Sequence, residues 1–200
     1  MKIVYFHASK FGNGVMVAEE FKKQMAAKRV DVEIHHIREV RPSEVASADL
    51  YLFSSPGRFG KPIQGMCRFL QALTLPAGAR YAVLTTEAAP KLNKKTGRAP
   101  TEDELVQMGQ RVRPVMNEIL EGKGLIEVAE DKVYVTKLKG PLEDGWQQKV
   151  EDFADNLAAS TPSMPAAPSR DERTPQSASP NGFIDTDCTS YVIGFSASET

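Results

Sequence analysis

Short runs of adjacent apolar residues alternate along most of this chain with longer stretches in which apolar residues return every third or fourth position. The runs Ile3-Val4-Tyr5-Phe6, Leu50-Tyr51-Leu52-Phe53 and Tyr81-Ala82-Val83-Leu84 are unbroken, as central strands covered on both faces must be. Val30, Val32 and Ile34 instead alternate with Asp31, Glu33 and His35, which predicts an edge strand, and Val133-Tyr134-Val135 predicts a fifth. Helical spacing joins Ala18, Phe21 and Met25, then Ile63, Met66, Cys67, Leu70 and Leu73, and finally Trp146, Val150, Phe153 and Leu157. Leu105, Met108, Val112, Val115 and Ile119 fall on one face of a segment that Thr101 and Glu104 would open as a capping box. Strand and helix taking turns predicts an α/β domain, a doubly wound five-stranded parallel sheet with helices on both faces.

After Ser160 the pattern stops, and Pro162, Pro165, Pro168, Pro175 and Pro180 stand among Ser, Ala and Thr. Too little apolar surface remains there to offset the entropy of ordering. Residues 1–159 therefore read as one domain and 160–200 as a mostly disordered tail, although the stretch Gly182 to Phe195 is apolar enough to dock on this domain or a partner. Composition is ordinary, 41% hydrophobic and 26% charged with a net charge of -1, which excludes a strongly basic nucleic-acid binder. The two cysteines, Cys67 and Cys188, lie in unlike settings and predict no disulfide framework. With no secretory leader and no run of about 18 apolar residues, the chain reads as cytoplasmic without a membrane span.

The first strand runs into Ser9-Lys10-Phe11-Gly12-Asn13-Gly14 and then into a helix. Glycines at a helix start let backbone N–H groups turn toward an anion, and the helix end adds its dipole. The plain alternative is a tight turn. Gly12-x-Gly14-x-x-Val17 lacks the third glycine of a dinucleotide fingerprint, and no G-K-[ST] follows, so neither the Rossmann nor the P-loop pattern is met. The hexapeptide resembles the phosphate loop of flavodoxins, [ST]-x-[TYF]-G-N-[TG], with Gly14 where many members have threonine. That resemblance implies a flavodoxin-like fold with strand order 2-1-3-4-5 and FMN held by Ser9, Lys10, Phe11, Gly12, Asn13 and Gly14.

A second match lies after the third strand. S-P-G-R-F-G, followed by Q-G-M-C-R-F-L at 64 to 70, resembles the P-x-R-F-G…M-R-x-F-L segment of the NAD(P)H:quinone oxidoreductase branch, the tryptophan-repressor-binding-protein-like group. G-P-L-E-D-G-W at 140 to 146 resembles the last strand-to-helix passage of short-chain flavodoxins, so the likeness covers about residues 1 to 159. It implies that Pro56, Gly57, Arg58, Phe59 and Gly60 hold the isoalloxazine, with Phe59 stacking and the Gly60 carbonyl accepting from reduced N5–H after a peptide flip. Thr85, Thr86 and Glu87 are placed at the pyrimidine edge by position alone. Their loop lacks both the stacking tyrosine of many flavodoxins and the glycine-histidine run of the quinone reductases. Lys91, Lys94, Lys95 and Arg98 crowd the segment 87 to 100, a patch that would suit an acidic partner or a nicotinamide phosphate.

His7 ends the first strand and reads as packed rather than anion-bound. His35 and His36 point to opposite faces and have no companion at ligand spacing, so no metal site is expected. Cys67 reads as core. A response-regulator reading fails because Phe6-His7-Ala8 stands where an acidic cluster is needed. No catalytic side chain is required: FMN would do the chemistry. Three functions follow as expectations: a redox protein passing electrons between partner proteins; an FMN-dependent oxidoreductase using NAD(P)H and a quinone-like acceptor, as a possible homodimer; or a flavin-free interaction domain that kept the fold.

Overall fold

A computed structural model describes residues 1–160 apart from 93, 95 and 138. The expected tail disorder and the apolar stretch from Gly182 to Phe195 lie outside the described residues. Five parallel strands form the main sheet: β1 (Lys2–His7), β2 (Asp31–His36), β3 (Leu50–Ser54), β6 (Arg80–Ala88) and β7 (Ile126–Val135), in the order β2-β1-β3-β6-β7. Counted within that sheet alone, this is the expected 2-1-3-4-5. A small hairpin, β4 (Gly57–Arg58) and β5 (Lys61–Pro62), stands apart from it.

The unbroken apolar runs feed two cores at once. Ile3, Tyr5, Leu50, Leu52, Ala82 and Leu84 face α1 (Asn13–Ala27) and α5 (Trp146–Ser160). Val4, Phe6, Tyr51, Phe53, Tyr81 and Val83 face α2 (Gln64–Ala72) and α4 (Val112–Glu121). Successive side chains on a strand point to opposite faces, so every position of a doubly covered strand must be apolar. On β2 only Val32 is fully buried, as an edge position requires.

Two expectations change. The single helix opened by Thr101 is two: α3 (Glu102–Gln107) ends at Met108, and α4 begins after Arg111. The capping box is present, with Thr101 and Glu104 bonding reciprocally. Between the helices Gly109 turns left-handed at φ 87°, and α4 buries Val112, Met116 and Leu120 rather than Val115 and Ile119. The fifth strand starts at Ile126, well before the Val133 run, pairing with β6 from Arg80 to Ala88 with one register shift beside Tyr81. Glu127, Glu130 and Asp131 stand among its early residues because this is the other edge of the sheet. No helix among the described residues is long and apolar enough to cross a membrane.

Candidate functional site

Parallel strands deliver all their carboxyl-end loops to one edge, where ligands of open α/β sheets gather. At that edge β1 continues through Ala8, whose N–H donates to the Ser54 carbonyl at 3.1 Å, into the loop that opens α1. Gly12 is the N-cap residue at φ 91°, and α1 carries neither a side-chain cap nor an acidic residue in its first turn. Among the described residues no acceptor takes the amides of Lys10, Phe11, Gly12 or Asn13. Uncapped amides at a helix start are an anion site in waiting. Ser9 completes it: its Oγ accepts the Gly14 N–H at 3.1 Å, which leaves the hydroxyl proton free to donate outward.

Gly14 has a steric reason for lacking the side chain that many flavodoxins place there. A Cβ on it would sit 3.0 Å from Ser9 Cβ and 3.3 Å from Ser9 Oγ. Around the cradle, Phe11 is 51% exposed, with the ammonium groups of Lys10 and Lys139 at 5.7 and 5.6 Å from its ring centroid. Asn13 lies against the loop after β7, since a Cβ on Gly140 would come within 3.0 Å of its Oδ1. Lys139 and Gly140 were not among the sequence-based site residues, and only the likeness of the G-P-L-E-D-G-W passage pointed there.

The second group of site residues forms the β4–β5 hairpin. Gly57 pairs with Pro62 and Arg58 with Lys61, leaving Phe59 and Gly60 as the two-residue turn at φ 51° and 73°. Positive φ at both turn positions is the arrangement whose twist matches antiparallel strands. A bulky residue in the left-handed region costs on the order of 1 kcal/mol, and here the ring it carries is 91% exposed. A strained, solvent-facing aromatic is poor for folding and good for stacking. The Arg58 guanidinium lies 5.5 Å over that ring. The Gly60 carbonyl, expected to face the cofactor, accepts the Arg111 N–H at 2.6 Å.

Pro56 and Thr86 form an isolated bridge, and the Thr86 N–H donates to the Ser55 carbonyl at 3.2 Å. The neighbouring side chains turn inward. Thr85 Oγ1 donates to Glu87 Oε1 at 2.7 Å, and Glu87 lies 3.4 Å from Arg113 Nε, whose guanidinium also meets Glu102 at 2.6 Å and Glu130 at 2.8 Å. Lys132 joins the same Glu102 carboxylate. These charges line a cavity of about 140 Å³, room for a few waters. Burial disfavours the Glu102 anion, but Lys132 and Arg113 outweigh it and hold the carboxyl below its ordinary value. No spacing signal announces this network along the chain, because its members come from four separate elements.

His7 is buried beside the cradle, with Nδ1 3.4 Å from the Ser9 N–H and its ring edge-on to His36 at 5.1 Å. Burial, then the neighbouring His36, hold its pKa below the ordinary value. Across the sheet His35 stacks on Phe6. Cys67 is partly buried on α2, and burial pushes its thiol pKa up. Among the described residues no group of three His, Cys, Asp or Glu could hold a metal.

An FMN would meet the uncapped amides at the start of α1 at one end and an exposed aromatic turn at the other, so the residues present fit the group at both ends. No protein-family model matches the chain, and no curated protein matches it. Solved structures do. Flavodoxin 1 from Bacillus cereus superposes with a TM-score of 0.58 at 18% identity, over 80% of this chain and 98% of that one. A Fusobacterium nucleatum flavodoxin bound to flavin mononucleotide gives 0.53 at 11%, over 79% and 97%. Rubredoxin oxygen:oxidoreductase from Desulfovibrio gigas gives 0.56 at 14% over 79% of this chain, which spans only 35% of that longer protein. At these identities the likeness establishes the fold, which is flavodoxin-like.

Proposed function

We propose that residues 1–159 bind FMN non-covalently at the carboxyl edge of the sheet and pass electrons between redox partners. The observation that carries this reading is the uncapped amino end of α1, with Ser9 Oγ and the free amides from Lys10 to Asn13, opening on the same edge as the exposed Phe59. When bound, FMN supplies one- or two-electron transfer at its ring. The amides and the Ser9 hydroxyl hold the phosphate, and Lys10 and Lys139 offset its charge. Phe59 offers a stacking face, and Pro56, Gly57 and Arg58 set where that face points. Thr85, Thr86 and Glu87 would offer backbone groups to the pyrimidine edge, the Thr85 and Glu87 side chains being committed to each other and to Arg113.

A second reading is an FMN-dependent NAD(P)H:quinone-type oxidoreductase. It is favoured by the R-F-G turn and by a cleft of about 360 Å³ bordered by Lys91, Arg98, Glu104 and Met108, in which Lys91 offers a cation to a nucleotide phosphate while Arg98 pairs with Glu104 at 2.7 Å. Purified protein separates these. Uptake of added FMN at micromolar concentration or below, with flavin absorbance, supports both, and NAD(P)H oxidation that depends on an added quinone selects the second. Bulky substitutions at Gly12 and Asn13 should abolish uptake. Colourless protein that takes up no FMN overturns both and leaves the flavin-free interaction domain.

A further inference from the structure

Exposed cations without a carboxylate partner among the described residues are scattered over the domain, Lys22, Arg29 and Arg68 among them, but they gather at one edge. Lys2, Lys23, Lys28, Arg41 and Lys149 are each held by a carboxylate. At the carboxyl edge, Lys10, Arg58, Lys61, Lys91, Lys94 and Lys139 are exposed and have no carboxylate partner among the described residues. Topology explains the gathering: these residues follow β1, β3, β6 and β7, whose ends all reach that edge. A bound phosphate would offset Lys10 and Lys139, but Arg58, Lys61, Lys91 and Lys94 would still present positive charge. The chain as a whole carries a net charge of -1, so this field is local and its reach is about 8 to 10 Å at physiological salt.

The same edge exposes apolar side chains. Phe59, Met108 and Leu92 are all largely in solvent, and Phe59 and Met108 flank the contact between Gly60 and Gly109. An aromatic and a methionine beside an arginine, ringed by lysines, match the make-up of interface centres and rims. Phe59 is exposed enough, at 91%, to offer one face to a flavin ring and its edge to a partner.

We infer that this edge docks an electron-transfer protein whose own docking face is carboxylate-rich around an apolar centre. The inference rests on the flavin reading for its purpose, and on the unpaired cations for its sign. Charge of this kind steers encounter and fixes orientation more than it adds affinity.

The probes are an acidic [2Fe–2S] ferredoxin and, as the opposite charge, basic cytochrome c. Binding of each to the full chain is followed by fluorescence anisotropy, with and without FMN, at low and at high salt. Ferredoxin should bind at low salt and weaken by about tenfold or more as salt rises, while cytochrome c stays unbound. K61E/K91E/K94E should weaken ferredoxin by at least about tenfold at low salt, with an unchanged unfolding midpoint and unchanged flavin uptake. K61Q/K91Q/K94Q should show a smaller loss and serves if the charge-reversed protein does not fold. Preference for cytochrome c, or wild-type ferredoxin binding by both variants, overturns the inference. Failure of the flavin reading is seen separately, as absent flavin absorbance, because anisotropy reports docking without the cofactor.

Discussion

A Cβ placed on Gly60 would lie 2.0 Å from the carbonyl oxygen of Gly109, and the Gly60 carbonyl takes the Arg111 N–H at 2.6 Å. The hairpin tip and the break between α3 and α4 are therefore one packing unit, and Phe59 is aimed by a helix junction distant in sequence. Gly60→Ala meets both the penalty of φ 73° and a backbone collision, so it should cost about 2 to 4 kcal/mol. Gly109→Ala has φ 87° but open space around its Cβ and should cost about 1 kcal/mol. Urea unfolding of the two variants checks this. Equal losses would mean that the tip does not bear on the junction.

At the amino end of α1 the corresponding pair is Gly14 and Ser9. Gly14→Ala puts a methyl group against Ser9 Cβ and Oγ and displaces the hydroxyl that accepts the Gly14 N–H. The dissociation constant for FMN should rise about tenfold, equivalent to about 1.4 kcal/mol. Ser9→Ala should cost a similar amount. Because the two substitutions disable one arrangement, S9A/G14A should fall well short of a hundredfold loss. Flavin fluorescence titration reads all three, and strict additivity would show that Gly14 and Ser9 act independently.

Why was the cradle legible and the junction not? Every part of the cradle lies within six consecutive residues, so strand, glycines and helix start appear together in the sequence. The strands of the inner sheet were legible for a similar reason, since Val4 and Tyr5, or Phe53 and Leu52, must both be apolar when both faces are covered. The junction is set by Gly60, far away in the chain. Leu105, Met108, Val112, Val115 and Ile119 keep helical spacing straight across Gly109, so the apolar pattern hides a break that only Gly109 after Met108 and Pro114 in the first turn of α4 signal locally. Glu127, Glu130 and Asp131 hid the start of β7 because an edge strand tolerates charge. The ion pairs of Glu87 and Arg113 and the approach of Lys139 to Phe11 depend on tertiary placement alone.

Arg113 is the centre of the charged cluster beneath the hairpin, and Glu87 is nearly buried against it. Arg113→Met should destabilise the domain by about 3 kcal/mol at neutral pH, because it leaves the Glu87 carboxylate buried without its cation. R113M/E87Q should recover part of that loss. The pH dependence follows from Glu102, whose folded pKa is held below 4.5 by Lys132 and Arg113 against the opposing effect of burial. A depressed carboxyl contributes stability above its unfolded value and loses it as pH falls through the folded value. The gap between wild type and Arg113→Met should therefore narrow below about pH 4.5. Urea unfolding at neutral and acid pH measures it, and a gap constant with pH would remove the ion pairs from the account.

His7 gives a pH dependence in a higher range. Burial is the larger cause and the facing His36 the second; both lower its pKa from 6.5, outweighing Glu39 and Glu19. The unfolded chain then takes up a proton before the folded one does. The contribution of His7 to stability is complete above pH 6.5 and is lost as pH falls from there through the folded value. Proton NMR titration of the FMN-free protein should place the His7 midpoint below 6.5, with a rise toward that value in His36→Gln as one of the two lowering causes goes. FMN should also raise the midpoint, since a dianion at the Ser9 loop favours imidazolium. A midpoint at or above 6.5 without ligand would show that His7 is neither desolvated nor opposed by His36.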